Sequence, residues 1–370
     1  MQKLKRLNLH GFKSIRDATI DFGALNLLIG ANGSGKSNLV SFFRLLNEMM
    51  GGRLQQSIAT SGRAQSLLHH GAKRTPQLRA VLDFETDAGI NTYRLRLSHA
   101  AGDTLVFAEE SVQFDRIGVP AAQGPTSLGS GHMETRLRGE ADKGQATARV
   151  FRHLLNTCRV YHFHDTSSTA RVRQAGYIGD SRLLMFDAAN LAAFLYRLKS
   201  AEDSTAYRRI VGTVQLIAPF FDDFDLRPTG PHEQEIFLNW REKGSDQLFG
   251  PHQLSDGTLR AMCLVTLLLQ PVEDLPALII VDEPELGLHP YALNVIAALF
   301  QKAAAHTQVL ISTQSSSFLD NFEPEDVIVV GRETDGSTFT RLPPEKLDVW
   351  LEEYSLGEVW EKNVFAGGPH

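Results

Sequence analysis

Residues 30–37 read Gly-Ala-Asn-Gly-Ser-Gly-Lys-Ser, and this octapeptide restricts the fold more than any other stretch of the chain. It fits the pattern G-x-x-x-x-G-K-[ST]. It follows LNLLI (25–29), an apolar run of strand length, and precedes Leu39, Phe42, Phe43, Leu46 and Met49 at helical spacing. The chain therefore predicts strand, glycine loop and helix over residues 25–50. Glycines let backbone N–H groups approach phosphate oxygens with no Cβ in the way. The helix N-terminus adds partial positive charge. In that geometry Lys36 bridges the β- and γ-phosphates and Ser37 ligates Mg²⁺. Gly30, Asn32, Gly33, Ser34, Gly35 and Asn38 complete the candidate nucleotide loop. An ordinary glycine-rich turn, the competing reading, leaves the flanking strand and helix unexplained.

Composition narrows the class. Apolar residues make up 42% and charged residues 22% of 370, a globular balance that buries a large core in roughly two to three domains. Lys and Arg number 37 against 43 Asp and Glu, a net charge of −6. That excludes a wholesale basic coat for nucleic acid and leaves only a local patch. Cys158 and Cys263 are the only cysteines, which excludes a disulfide framework and a Cys-rich zinc module. A reducing, cytoplasmic setting is the expectation. No apolar run approaches the roughly 18 residues of a membrane span. The opening MQKLKRLNLHGFKSI is charged from the start and predicts no export signal.

Along the chain, Leu7 and Leu9, then Ile20 and Phe22, alternate with polar residues and predict two antiparallel strands before LNLLI. Residues 51–77 predict a loop with a short helix. RAVLDFET, NTYRLRLS, TLVFAEES and VQFD extend an antiparallel patch to about residue 115. Residues 117–147, rich in Gly, Pro, Ser and charge, predict a mobile insert. RVYHFHD (159–165) predicts a strand and 187–219 helix, with more strand in FDDFDLRP and QEIFLNW. From residue 254 helices alternate with strands: TLRAMCLVTLLL, ALIIV, PYALNVIAALFQKAAA, QVLIS, DVIVV and a final helix over PEKLDVWLEEYSL. Such alternation predicts a parallel sheet. Four segments are expected: an N-terminal lobe (1–115), a flexible insert (116–150), a helical lid (151–245) and a C-terminal lobe (246–370).

Two further motifs carry chemistry. ALIIV ends in Asp282-Glu283-Pro284. A strand that ends in carboxylates puts Asp282 at a sheet's C-terminal edge, where Mg²⁺ and phosphates bind, and Glu283 in place to polarise a water. Leu254-Ser255-Asp256-Gly257-Thr258 opens a helix just upstream. Two readings stand: a helix cap, which Ser and Asp favour, and a second phosphate-binding surface. Spacing to Asp282 favours the second, used on another subunit's nucleotide.

The P-loop, the LSDG segment and IIVDEPELGLHP together resemble the ABC-type ATPase heads of the RecF, SMC and OLD lineage. LKRLNLHGFKSI, GANGSGKSN and SDGTLR fit that lineage better than transporter ATPases. YHFHDTS, STQS and YSLGEVWEKNVFAGGP resemble a bacterial group of RecF-like ATPases. The resemblance implies an α/β P-loop NTPase head with a mainly parallel core sheet, an antiparallel β subdomain and an inserted helical lid. It implies ATP hydrolysis with Mg²⁺ at the interface of a head-to-tail homodimer. Lys36, Ser37 and Asp282 would act in cis, with Glu283 as base. Ser255 and Gly257, beside Asp256, would cap the γ-phosphate from the opposite subunit. Glu285, Gly287 and His289 match the D-loop, and Lys13 and Ser14 match positions near the nucleotide. Two departures stand out: Asp256 replaces a glycine of transporters, and Gln314 of Ser312-Thr313-Gln314-Ser315 replaces a histidine. Gln314 can donate to a γ-phosphate but cannot relay a proton, so slow turnover is expected. Gln55, Gln56 and Gln65 remain alternatives for the Q-loop.

Other signals read as structural before they read as functional. His162 and His164 alternate, with Asp165 next, as two metal ligands or as partly buried polar residues. FDDFD (221–225) reads as an acidic turn rather than a cation site, His69-His70 as loop surface, and Arg171 and Arg173 as phosphate or DNA contacts or as structural ion pairs. For function, an ATP-switched clamp on double-stranded DNA competes with a regulatory ATPase that controls an effector protein. About 40 residues follow DVIVV, so any nuclease is expected on another chain. A transporter subunit and an inactive binding protein are disfavoured.

Overall fold

A computed structural model describes residues 2–119, 124–343 and 347–364. It divides into two compact units: Met1–Val160 with Pro276–Ile280 and Gln308–His370, and Tyr161–Leu275 with Val281–Thr307. These units do not follow the four expected segments.

In the first unit, β1 (Lys3–Phe12) and β2 (Ile15–Asp21) pair antiparallel, with Leu4, Leu7 and Leu9 buried. All five residues of β3 (Leu25–Ile29) are buried, as suits a central strand. Helix α1 (Lys36–Met50) follows, and α2 (Leu54–Thr60) and α3 (Arg63–Leu67) fill the expected loop. Strands β4 (Gln77–Thr86), β5 (Gly89–Ala100) and β6 (Thr104–Arg116) extend the sheet, antiparallel throughout. Leu7 lies opposite Leu82, which lies opposite Tyr93, so one face is apolar. That face shares a core cluster with Phe42 and Phe43 of α1. Truncating one such side chain to alanine costs about 2–5 kcal/mol.

The stretch expected as a flexible insert is ordered over its described residues. It carries β7 (Thr126–Gly129), α4 (Leu137–Asp142) and the start of α5 (Ala146–Asn156), and Leu128, Leu137 and Ala141 are buried. Residues 120–123 lie outside the described set. The cause of the order is Glu110, fully buried on β6. Its carboxylate accepts from Tyr93 Oη (2.6 Å), Thr135 Oγ1 and Arg136 N (3.0 Å). Burial and that carboxylate hold the Tyr93 hydroxyl pKa well above its usual value. Glu134 in turn caps α2, accepting from the N–H groups of Leu54 and Gln55 at 3.0 Å each.

Strand β8 (Cys158–Tyr161) stops before His162, so the HFHD residues lie beyond the strand expected to hold them. The second unit continues with β9 (Gly176–Tyr177), α6 (Leu191–Ser200), α7 (Thr205–Ile217), β10 (Phe221–Asp225), β11 (Glu235–Ile236), β12 (Asn239–Glu242), β13 (Leu248–Phe249) and α8 (Asp256–Leu269). Over 161–245 it combines helices with small sheets, including strands within the FDDFDLRP and QEIFLNW segments. FDDFD is strand β10, which agrees with the strand reading of FDDFDLRP and not with the acidic-turn reading; Asp225 pairs with Arg227 and Arg241.

The chain then runs through β14 (Leu278–Asp282), α9 (Pro290–Ala304), β15 (Gln308–Thr313), α10 (Ser316–Leu319), β16 (Val327–Glu333) and β17 (Gly336–Arg341). Two short helices, α11 (Asp348–Leu351) and α12 (Leu356–Glu361), replace the single final helix expected; residues 344–346 and 365–370 are outside the described set. Two six-stranded sheets result, ordered β2-β1-β4-β5-β6-β7 and β17-β16-β3-β15-β14-β8. In the second, β3 pairs parallel with both β15 and β16, and β17 adds an antiparallel edge.

Candidate functional site

The glycine loop sits at the C-terminal end of β3, where parallel strands leave a ligand crevice. Glycine is required at both ends of it. A Cβ on Gly30 would lie 2.2 Å from the Val330 carbonyl oxygen; on Gly35, at φ +120°, it would lie 2.1 Å from Ser337 Oγ. Helix α1 starts at Gly35 with no side-chain cap and no acidic residue in its first turn. Its uncapped N-terminus and dipole therefore favour an anion. Lys36, 4% exposed, folds back to donate to the carbonyls of Gly30 (2.5 Å) and Ala31 (3.1 Å). Those features fit a polyphosphate.

Ser14 and Ser337 brace this loop. Asn38 Nδ2 donates to Ser14 Oγ at 2.7 Å, the Ser14 and Ser337 hydroxyls lie 2.7 Å apart, and Ser337 donates to Ser34 O at 2.5 Å. Arg332 donates to Gly33 O at 3.1 Å. Lys13 at φ 48° and His70 at φ 52° hold left-handed backbone beside it. A cavity of about 440 Å³ is lined by Lys13, Ser14, Gln65, His69, His70 and Arg332, among others. Burial, then Arg44, lowers the Lys13 pKa; His69, burial, Arg74 and Arg332 lower that of His70. A second cavity, about 770 Å³, joins Gly30–Asn32 to Gln314 and to Trp360 and Glu361 of α12. The first unit thus brings together Lys13, Ser14, the loop and Gln314. Sequence reasoning missed Ser337 and Arg332, which lie about 300 residues away and carry no motif. Among the Q-loop alternatives, the Gln55 side chain is spent on Leu105 O and Met133 O, whereas Gln65 lines the smaller cavity.

The second unit gathers the remaining candidates. Asp282 ends β14, and its Oδ1 is buried with no hydrogen-bond partner among the described residues. An orphaned carboxylate oxygen fits a hard cation. Glu283 holds φ 45°, a left-handed strain of about 1–3 kcal/mol for a non-glycine residue. His164 Nε2 donates to the Asp282 carbonyl at 2.8 Å. Arg260 of α8 donates to His164 O (2.8 Å) and Leu286 O (2.9 Å). A Cβ on Gly257 would lie 2.3 Å from Gly287 O, so the turn of the LSDG segment, hereafter the signature turn, packs directly on the segment that matches the D-loop. Ser255 caps α8, accepting from Thr258 N at 3.2 Å. His289 caps α9. The His162 and His164 rings are 4.3 Å apart, and no group of three metal-ligating side chains exists among the described residues. No helix among those residues is long and apolar enough to cross a membrane.

Residues 162–320 match a family described as AAA domain, putative AbiEii toxin, Type IV TA system, and residues 2–66 match an AAA ATPase domain family. No curated protein matches. A crystal structure of the SmcHead bound to the C-winged helix domain of ScpA is similar at TM-score 0.61 and 15% identity, over 93% of this chain and 99% of that one. An Smc head domain with an extended coiled coil, bound to the C-terminal domain of ScpA and derived from Pyrococcus furiosus, gives 0.61 and 15% over 95% and 99%. The SMC head domain from Thermotoga maritima gives 0.50 and 16% over 92% and 99%. At such identities the likeness concerns the fold. Shared over more than nine-tenths of the chain, that fold is the P-loop NTPase fold of SMC heads, and two separate segments of the chain match AAA-type ATPase families.

Proposed function

We propose that this protein binds ATP with Mg²⁺ and hydrolyses it at the interface of a head-to-tail homodimer. The observation that carries the nucleotide part is the uncapped, acid-free start of α1 behind two sterically obligatory glycines. Lys36 binds the β- and γ-phosphates, leaving its two loop carbonyls to do so. Ser37 and Asp282 hold Mg²⁺, which supplies charge neutralisation on the phosphates. Glu283 accepts a proton from the attacking water. Gln314 donates to the γ-phosphate without taking part in proton transfer. Ser255 and Gly257 of a second copy close over that phosphate. Lys36→Ala tests the reading: nucleotide binding is lost, and tight ATP binding by that variant would contradict it.

The closed dimer engages duplex DNA in this reading. Its support is a row of basic side chains on the sheet's outward face, where His10 lies opposite Arg79 and Arg79 opposite Arg96, with exposed Lys73 and Arg74 nearby. Asp17 and Glu109 flank that row and limit its charge. A second reading, control of a separate effector protein, draws support from the solved relatives that are bound to a domain of ScpA. Purifying Glu283→Gln with Mg²⁺ and ATP separates the two. DNA that is lost with rising salt favours the clamp; a stoichiometric protein without DNA favours the effector.

A further inference from the structure

Arg173 explains how a signature turn can carry a carboxylate where a phosphate is to dock. Its side chain is 5% exposed, and its guanidinium donates to Thr166 O (2.8 Å), Pro251 O, Leu254 O (3.1 Å) and Asp256 Oδ1 (2.8 Å). Two of those carbonyls belong to the segment that leads into α8, and the carboxylate sits in the first turn of α8. Asp256 is the exposed partner, at 64%. An acid there stabilises the helix start through the dipole but repels an incoming anion. The buried guanidinium cancels that charge while its planar fork holds the turn from behind.

We infer that Arg173 is a positioning residue of the signature turn, which fixes residues 251–256 and neutralises Asp256 so that a triphosphate held by a second copy of the chain can dock. This rests on the shared-site reading above. The burial of Arg173 keeps it from meeting the phosphate itself, so it acts through Asp256 and the turn.

The test uses the full chain in the Glu283→Gln background, with ATP-dependent self-association measured by sedimentation. Binding of a fluorescent ATP analogue at low protein concentration reports whether the P-loop still folds. Arg173→Gln is expected to weaken association about tenfold, the scale of one lost close charge pair, with analogue binding unchanged. Asp256→Asn alone is expected to associate at least as tightly as its parent. Asp256→Asn added to Arg173→Gln is expected to restore part of the loss. A purely structural pin predicts the reverse: Asp256→Asn weakens association and rescues nothing, and that result overturns the inference. If Arg173→Gln does not fold, the sign of the Asp256→Asn effect alone decides. A parent that stays monomeric with ATP overturns the shared-site reading, and this inference with it.

Discussion

Helices α1 and α8 both begin at a Gly- and Ser-containing turn, yet their N-termini are prepared differently. Helix α1 has no side-chain cap and no acid in its first turn, and a buried lysine stands at its first position. Helix α8 has a serine cap, an acid in its first turn and an arginine behind that acid. One end carries no side-chain cap and no acid, and it favours an anion outright. The other has one N–H group capped by Ser255 and an acid in its first turn, so a phosphate that docks there must compete with contacts the subunit makes alone. In the proposed dimer, this difference makes the nucleotide bind one subunit first and recruit the second with a smaller gain.

Substitutions that break or sharpen this contrast span a wide range of effects. Lys36→Ala removes the buried lysine at the first position of α1 and should weaken ATP binding by two orders of magnitude or more, about 3 kcal/mol; calorimetric titration measures it. Gly257→Ala drives a methyl group into Gly287 O. It should abolish ATP-dependent association while one subunit's ATP affinity stays unchanged, a pattern that sedimentation and titration together reveal. Asn38→Asp makes α1 resemble α8 by placing an acid in its first turn. ATP affinity should fall about tenfold while the melting temperature holds, because the dipole favours the acid in the absence of phosphate. Ser255→Ala removes the α8 cap and should cost about 1 kcal/mol of stability, read from denaturant midpoints. Gln314→His, the smallest change, should leave steady-state phosphate release equal or faster.

How much of this was legible in the sequence depended on range. The loop, α1, β14 and α8 announced themselves because glycine spacing, apolar runs and helical periodicity are local signals. Ser337 was not legible: β17 is a weakly alternating edge strand, and only the sheet order brings residue 337 to Ser34 and Ser14. The order of the Gly-rich insert was hidden for the same reason, since a single buried carboxylate, Glu110, organises it from within a strand pattern. His162 and His164 misled in the other direction. Their alternation runs past the end of β8, where the backbone is no longer in the ladder. The Arg173–Asp256 pair spans 83 positions and has no sequence signature, although both residues had been singled out separately.

The central claim is that ATP joins two subunits through a shared site. Glu283→Gln keeps the binding residues and removes the proposed base, so its mass in solution, with and without Mg²⁺ and ATP, is the direct test. The account predicts a monomer that becomes a dimer when ATP is added and reverts when Lys36→Ala is introduced as well. A particle that remains a monomer at saturating ATP, with nucleotide demonstrably bound, would contradict it.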